Sequence, residues 1–256
     1  MALKRLDILL CDLGLCTSRE QAQRLILAGA VWTGQQRLEK PGVKIKEETP
    51  IEIRNRTPDF ASRGGEKLIH ALTQFEISVE GRVCLDLGAS TGGFTDCLLK
   101  RGAKHVFAVD VGYGQLEARL RADVRVTNME RTNARFLAAN DLAVKNPLAC
   151  SVDLLVMDVS FISLRKIIEP IAPEFPKIKD WVLLFKPQFE VGREFVGKGG
   201  LVRDSEAVKA ELADFDLFMN RLGLAKVAGP ETSPITGKKS GNLEYLVHYR
   251  FQKGLA

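Results

Sequence analysis

From about residue 63 onward, short apolar runs alternate with segments of helical spacing. The runs are bounded by polar residues or glycine, as buried strands are. Strands are predicted at Val83–Leu87, Val106–Val109, Val124–Thr127, Leu154–Asp158, Val182–Lys186, Ala225–Ala228 and Tyr245–Phe251, and helices at Phe94–Arg101, Leu164–Ile171 and Ser205–Leu222. This alternation predicts an α/β fold with a mostly parallel, doubly wound, Rossmann-like sheet. The last two strands have no long helix between them, which favours an antiparallel pair at one side.

The first 60 residues begin with two short helices. The first helix is predicted from Lys4 to Asp12. The second is predicted to start with Thr17 as its N-cap, with Glu20 three positions later as in a capping box, and to stop at Gly29.

Short strands then follow, at Ala30-Val31-Trp32 and within Val43–Ile53, where apolar and charged residues alternate. Arg54–Ser62 is polar, contains a proline and is predicted to be a linker. We therefore predict a small α+β domain over residues 1–60, with the linker at its end, and a larger domain over residues 61–256.

The cysteines and histidines do not have the spacing of a metal site or a disulfide framework. The five cysteines are Cys11, Cys16, Cys84, Cys97 and Cys150, and no two of them form a Cys-x-x-Cys pair. We expect reduced thiols and no bound metal.

The distribution of apolar residues predicts a cytoplasmic protein. No apolar run approaches the roughly 20 residues of a membrane span, and Asp7 and Asp12 interrupt the segment where a signal peptide would be apolar. We expect no membrane partner. The net charge of +5 is compatible with an anionic partner but does not require one.

A glycine-rich turn joins the strand Val83–Leu87 to the next helix. A dinucleotide fingerprint would need glycine where Ser90 stands, and no P-loop string is present. The turn instead resembles the first motif of S-adenosylmethionine-dependent methyltransferases. The resemblance implies a cofactor site formed by Asp86, Gly88, Ala89, Ser90, Gly92 and Gly93, with Asp86 near the cofactor's ammonium group. Asp110 ends the next strand, where an acid can accept hydrogen bonds from a ribose diol.

Asp158 and Lys186 each end a buried strand and are expected to face the ligand crevice, Asp158 beside the cofactor. With Lys67 and Glu244 they resemble, in order, the Lys-Asp-Lys-Glu tetrad of FtsJ-type ribose 2′-O-methyltransferases. Each residue alone could equally form a structural ion pair. Base N-methyltransferases favour two prolines in the string that here reads Asp158–Phe161, and neither is present.

The residue types of the tetrad suit ribose methylation. A ribose hydroxyl is a weak nucleophile that loses its proton as it attacks a sulfonium methyl group. A lysine can accept that proton when burial and a neighbouring cation lower its pKa, or its charge can stabilise the developing alkoxide. Flanking carboxylates would hold the amines, and the reaction requires no metal.

The whole chain resembles the TlyA, or hemolysin A, family of ribosomal RNA methyltransferases. Beyond the tetrad, the strings Ser62–Gly65, Asp110–Leu116 and Glu130–Arg135 carry this resemblance. It implies methylation of a ribose 2′-hydroxyl, that of cytidine, in ribosomal RNA or ribosomal subunits. Gly192–Arg203 is rich in glycine and charge and is predicted to be a loop, either mobile near the active site or a disordered surface loop.

The same resemblance implies that the N-terminal domain is the RNA-binding fold first named from a small-subunit ribosomal protein. Its candidate phosphate-binding residues are Lys4, Arg5, Arg19, Arg24 and Lys44. Two other functions remain open from the sequence. One is an RNA-binding protein with an inactive methyltransferase fold, and the other is a membrane-active hemolysin, which no strongly basic amphipathic helix supports.

Overall fold

A computed structural model describes residues 3–27, 29–34, 36–53, 60–236 and 241–252. The chain divides into two compact units, Met1–Pro58 and Asp59–Ala256. Each unit has its own hydrophobic core.

The smaller unit combines two short helices with short antiparallel strands. Its elements are β1 (Leu3–Arg5), α1 (Leu6–Asp12), α2 (Arg19–Leu27), β2 (Val31–Thr33), β3 (Gln36–Arg37), β4 (Lys44–Lys46) and β5 (Glu52–Ile53). Strand β1 pairs with β4, and β2 lies between β3 and β5. Leu6, Leu10, Ala22, Ile26 and Val31 are fully buried between the helices and strands, which confirms the α+β class.

Two details of the predicted helices are wrong. Lys4 lies in β1, so the first helix starts at Leu6. The second helix starts at Arg19, and its cap is Ser18 instead of Thr17. The Ser18 hydroxyl accepts the amide proton of Gln21 at 3.2 Å, while the Gln21 side chain accepts the amide proton of Thr17 at 2.8 Å. Ser18 therefore caps the helix, while Gln21, and not Glu20, reaches back, and it bonds to the residue before the cap instead of to the cap itself.

The larger unit is a seven-stranded sheet with helices on both faces. Its strands are β6 (Val83–Leu87), β7 (His105–Val109), β8 (Val126–Met129), β9 (Val152–Met157), β10 (Asp180–Phe185), β11 (Leu224–Thr232) and β12 (Tyr245–Phe251). Its helices are α3 (Gly64–Gln74), α4 (Gly93–Lys100), α5 (Ala118–Arg121), α6 (Ala139–Lys145), α7 (Arg165–Glu174), α8 (Pro187–Glu190) and α9 (Ser205–Arg221).

The strand order across the sheet is β11-β12-β10-β9-β6-β7-β8. The five strands from β10 to β8 are parallel to one another, while β12 runs antiparallel to both β10 and β11. The predicted doubly wound sheet and the antiparallel pair at its side are both confirmed.

Alternate residues of the central strands face two separate core layers. In β10, Trp181, Leu183 and Phe185 pack into one layer, and Val182 and Leu184 pack into the other. Burial of each such large side chain contributes about 2–3 kcal/mol. These continuous apolar runs are what a parallel sheet covered on both faces requires.

Several elements differ from prediction, among them strand β8 and helix α3. Strand β8 starts at Val126, since Val124 is 93% exposed in the preceding turn. Helix α3 was not predicted at all, because the glycines Gly64 and Gly65 in its first turn have poor helix propensity.

Candidate active site

Most of the predicted site residues lie at one edge of the sheet. Strands β6, β7, β9 and β10 are parallel, so their carboxyl ends meet there. Asp110, Asp158 and Lys186 directly follow β7, β9 and β10. Strand β12 starts at the same edge, with Tyr245 opposite Phe185, which brings Glu244 to this edge as well.

Lys186 is buried, with 7% of its surface exposed, and its ammonium group has two partners. Nζ lies 2.5 Å from Oδ1 of Asp158 and donates a hydrogen bond to the Ser160 hydroxyl at 2.8 Å. A buried lysine charge needs such partners, because desolvation without them is costly. Ser160 was not predicted as a site residue, although it lies in the string that follows β9.

Lys67 and Glu244 form the second lysine–carboxylate pair. Lys67 Nζ donates to Oε2 of Glu244, and 9% and 3% of the two residues' surfaces are exposed. The tetrad residues therefore form two ion pairs, one at the carboxyl ends of β9 and β10 and one between α3 and the start of β12; both lysines and Glu244 are buried, and the Asp158 side chain is 20% exposed. Its catalytic role stays a prediction.

Close backbone packing positions Lys67. A Cβ at Gly93, the first residue of α4, would lie 2.2 Å from the Ser62 hydroxyl oxygen and 3.0 Å from the amide nitrogen of Gly65. A Cβ at Gly65 would lie 2.2 Å from the ring of Phe60. Glycine at both positions lets the start of α3 sit directly on the start of α4. This explains why the Ser62–Gly65 string precedes the lysine.

Glu190 joins the loops that follow β9 and β10. Its carboxylate accepts a hydrogen bond from the Ser163 hydroxyl at 2.7 Å and another from the Leu164 amide at 2.8 Å. Burial raises the pKa of this carboxyl to about 7, and the two hydrogen bonds partly offset that rise. This contact, which sequence reasoning missed, holds the loop after Asp158 against the loop after Lys186.

The glycine-rich turn after β6 needs glycine at two positions. Gly88 has φ +88°, and a Cβ there would lie 2.6 Å from the carbonyl oxygen of Asp158. Gly92 has φ +96°, and a Cβ there would lie 2.3 Å from a leucine side chain. The amides of Gly88 and Ala89 both donate to the Val109 carbonyl, at 2.9 and 3.1 Å. The turn is thus held between β7 and the Asp158 backbone.

Asp110 organises the loop beside this turn. One carboxylate oxygen accepts the Ser90 amide proton at 2.8 Å, and the other accepts that of Gly112 at 2.7 Å. Ser90 has φ +48°, a left-handed conformation that this hydrogen bond stabilises. Each oxygen keeps a lone pair for a further donor, so the predicted contact with a ribose diol stays a prediction.

Asp86 is fully buried and has one unpaired oxygen. Oδ2 accepts from the Thr95 hydroxyl at 2.6 Å, while Oδ1 has no partner among the described residues. Burial raises the pKa of this carboxyl to about 7, and the nearby carboxylate of Asp158 adds to the rise. A buried, unpaired acceptor beneath a glycine turn fits the ammonium group of S-adenosylmethionine.

The Gly192–Arg203 loop is folded back on itself near the tetrad. Val196 and Val202 form an isolated antiparallel bridge. The Asn242 side chain donates to the Gly200 carbonyl at 2.7 Å and accepts the Val202 amide proton at 2.9 Å. Asn242 stands two residues before Glu244, so the loop is tied to the segment that carries the tetrad glutamate.

In the smaller unit, two predicted RNA-binding arginines share one buried carboxylate. Arg5 donates to Asp7 at 3.0 and 2.9 Å, and Arg19 donates to it at 3.1 Å. These contacts, with Arg5 contributing most, hold the pKa of Asp7 well below its usual range. The two arginines therefore have a structural role, and their contact with RNA stays a prediction.

The other three candidates differ in their surroundings. Lys4 pairs with Asp12 at 2.6 Å and with Glu47 at 3.3 Å. Lys44 is exposed in β4. The side chain of Arg24 lies outside the described residues.

The described parts of the chain offer neither a metal site nor a membrane span. No group of three or more histidine, cysteine, aspartate or glutamate side chains there could hold a metal ion. No helix in those parts is long and apolar enough to cross a bilayer.

Comparison with known proteins identifies two domains and several relatives of the chain. A model described as FtsJ-like methyltransferase matches residues 60–251, and a model of the S4 domain matches residues 4–51. The TlyA protein of Mycobacterium tuberculosis, named a 16S/23S rRNA (cytidine-2′-O)-methyltransferase, is 43% identical over 97% of this chain and 90% of its own length. Hemolysin A of Brachyspira hyodysenteriae is 43% identical over 96% of this chain and 99% of its own length.

A solved structure covers nearly the whole molecule. It belongs to a candidate hemolysin from Streptococcus thermophilus and matches 99% of this chain and 90% of that chain, with a TM-score of 0.71 and 40% sequence identity. The predicted family and fold are confirmed. The chain belongs to the TlyA, or hemolysin A, branch of the FtsJ-like methyltransferases and carries an S4 domain ahead of its methyltransferase domain.

Proposed function

We propose that this protein transfers the methyl group of S-adenosylmethionine to the ribose 2′-hydroxyl of a cytidine in ribosomal RNA. The observation that carries the proposal is the pair of lysine–carboxylate contacts, Lys186 with Asp158 and Lys67 with Glu244, in which both lysines are buried. The 43% identity to a named cytidine-2′-O-methyltransferase supports the substrate.

In this proposal the glycine-rich turn and the acids around it hold the cofactor. The residues are Asp86, Gly88, Ala89, Ser90, Gly92, Gly93, Asp110 and Asp158. The unpaired Oδ1 of Asp86 supports an ammonium contact. Asp110 would receive the ribose diol. When bound, S-adenosylmethionine supplies an electrophilic methyl group on a positively charged sulfur.

Lys186 acts on the attacking hydroxyl. Two of its three N–H directions are taken by Asp158 and Ser160, and the third, which has no partner among the described residues, can meet the ribose 2′-oxygen. As the new O–CH₃ bond forms and the C–S bond breaks, the electron pair of that bond goes to sulfur. The hydroxyl proton would go to solvent while the Lys186 ammonium stabilises the oxygen, or to Lys186 itself once that amine has lost one of its own protons. Lys67, held by Glu244, adds positive charge beside the developing alkoxide.

In this proposal one domain binds RNA and the other transfers the methyl group. We assign residues 1–60, with the linker at their end, to RNA binding through Lys4, Arg5, Arg19, Arg24 and Lys44, and residues 61–256 to methyl transfer. Contacts with phosphates would orient the enzyme without reading the sequence. With ribosomal subunits as substrate, the protein would act in the cytoplasm, without a metal and without a membrane partner.

The test is methyl transfer from radiolabelled S-adenosylmethionine to purified ribosomal subunits, followed by nucleoside analysis. We expect the label in 2′-O-methylcytidine, in RNA that resists alkaline cleavage at that position because the 2′-oxygen is blocked. Label on a base nitrogen or carbon would reject the tetrad mechanism. Absence of label on both subunits and on extracted RNA, from a protein that binds the cofactor, would favour an inactive RNA-binding protein.

A further inference from the structure

Two strings that the proposed reaction leaves unexplained, Asp110–Leu116 and Glu130–Arg135, are joined to each other in the fold. The Arg131 amide donates to the Gly112 carbonyl at 2.9 Å. The Glu130 carboxylate accepts the amide protons of Gln115 and Leu116 at 2.7 and 3.1 Å, and these amides help to lower the pKa of Glu130 to about 2. The loops after β7 and β8 therefore form one unit.

This unit presents two arginines over two exposed aromatic rings. The guanidinium carbon of Arg131 lies 3.8 Å from the ring centroid of Tyr113, and that of Arg135 lies 5.5 Å from the ring centroid of Phe136. Tyr113 and Phe136 are 70% and 74% exposed. Exposed apolar surface bordered by polar groups is typical of interaction sites when it forms a patch.

The charges of these two arginines are not neutralised. Within the described residues, neither Arg131 nor Arg135 has a carboxylate within ion-pair distance. Two arginines between β7 and β8 are paired, since Arg119 contacts Asp96 at 2.7 Å and Arg125 contacts Asp123 at 2.7 Å.

The backbone conformation of Arg131 indicates that its position matters. Arg131 has φ +57°, a left-handed conformation that is uncommon for a residue with a side chain. The hydrogen bond from its amide to Gly112 maintains this conformation. In this conformation the guanidinium lies over the Tyr113 ring, and Arg131 is exposed.

The two arginine–aromatic pairs follow β7 and β8 at the same edge of the sheet as the tetrad. Strands β7 and β8 stand three and four positions from β10 in the strand order. At about 4.8 Å per strand, the two sites are separated by roughly 14–19 Å along the sheet, with the cofactor turn between them. RNA whose ribose reaches Lys186 would therefore pass this surface with neighbouring nucleotides.

We propose that Tyr113, Arg131, Arg135 and Phe136 form an RNA-binding surface that takes unstacked bases and phosphates flanking the methylated nucleotide. The inference rests on the proposed function for its choice of substrate. Unpaired RNA bases stack on aromatic rings and on guanidinium planes, and the unneutralised arginine charge attracts phosphate. Both arginine–aromatic pairs lie on the segments that follow β7 and β8, and two such pairs suit an RNA strand with alternating bases and phosphates.

The experiment compares the full-length protein with two variants in binding to ribosomal subunits and to extracted ribosomal RNA across a range of salt concentrations. The double variant Arg131→Gln/Arg135→Gln should weaken RNA binding and raise the RNA KM about tenfold. The slope of the logarithm of the binding constant against the logarithm of the salt concentration should become shallower by roughly 0.7–0.9 for each phosphate that is no longer bound. Tyr113→Ala should weaken binding about tenfold because it removes base stacking, with less change in salt dependence. S-adenosylmethionine affinity should not change.

Arg125→Gln is the matched control, since Arg125 precedes the same strand β8 at the opposite edge of the sheet. It removes one positive charge and should leave RNA affinity within about twofold of wild type, because an exposed ion pair contributes little. An equal loss in this control, unchanged RNA affinity and salt dependence in the double variant, or a loss of cofactor affinity alone would overturn the proposal.

Ribose methylation measured on the same samples tests the proposed reaction independently of the RNA-binding surface. Loss of RNA affinity in the double variant, with no ribose methylation by the wild-type protein, would uphold this surface and reject the proposed reaction. Ribose methylation by the double variant with an unaltered RNA KM would uphold the proposed reaction and reject this surface.

Discussion

Lys186 and Asp158 follow neighbouring parallel strands, and 2.5 Å separates the lysine Nζ from the aspartate Oδ1. The carbonyl oxygen of that same aspartate lies where a Cβ at Gly88 would be 2.6 Å away. One residue thus contacts the proposed catalytic lysine through its side chain and the proposed cofactor turn through its backbone. A change at either place is therefore expected to affect methyl transfer.

Removal of the Lys186 amine should abolish turnover. Lys186→Ala leaves no group to accept the hydroxyl proton or stabilise the alkoxide, so kcat should fall at least about 100-fold, while S-adenosylmethionine still binds. Single-turnover methylation and calorimetric cofactor titration measure the two effects. The matched control is Lys179→Ala at the other end of β10, where the side chain is 75% exposed. Methylation by Lys186→Ala at a rate near that of Lys179→Ala would reject the mechanism.

A methyl group at Gly88 should displace the Asp158 backbone and prevent cofactor binding. Gly81→Ala is the control, since Gly81 has φ +71° and no heavy atom within 4 Å of the place that a Cβ would take, so it imposes only conformational strain. That strain amounts to about 1–2 kcal/mol and should lower the thermal stability of both variants. Only Gly88→Ala should also lose cofactor affinity, as measured by calorimetry. Equal cofactor affinity in the two variants would argue against the turn as the cofactor site.

Cofactor affinity should rise with pH up to about 7. Burial raises the pKa of Asp86 to about 7, so in mildly acidic solution the carboxyl is protonated and must release its proton before pairing with an ammonium group. The dissociation constant should fall as pH increases and level off above about 7. Asp86→Asn should bind weakly with little pH dependence between about pH 5.5 and 7.5. A wild-type protein whose affinity is flat over that range would exclude Asp86 as the ammonium partner.

Asp180 should stabilise the fold at neutral pH and lose this effect in acid. Its carboxylate accepts from Arg82 at 2.7 Å and from His248 at 2.8 Å, and hydrogen bonds of this kind hold its pKa well below the usual range. Because the folded-state pKa is lowered, the stabilisation is present above the unfolded-state value of about 4 and decreases as pH falls below it.

Asp180→Asn should therefore lower the free energy of unfolding by about 3 kcal/mol at pH 7. Urea unfolding of the variant and the wild type should show this difference narrowing below about pH 4. A difference that stays constant as pH falls would assign the loss to packing instead of charge.

Much of the larger unit could be read from local patterns. Val83–Leu87 and Tyr245–Phe251 match their observed strands residue for residue, because an apolar run that is buried on both faces leaves few alternatives. The charged residues at the strand ends could also be predicted. Asp158 and Lys186 end apolar runs, where a charged side chain is costly to bury without a partner. Helix α3 was not visible, because its opening glycines oppose helix formation and only packing on α4 stabilises it.

The site itself depends on contacts between distant segments. Lys67 and Glu244 are 177 residues apart along the chain, and they meet because α3 and the start of β12 pack at the same sheet edge. Glu190 and Leu164 meet for the same reason, across the ends of two strands. Periodicity reports whether a residue is buried and a motif reports what chemistry it offers, since both are local properties. Which carboxylate neutralises which lysine depends on the packing of elements far apart in the chain, and it follows only from the folded structure.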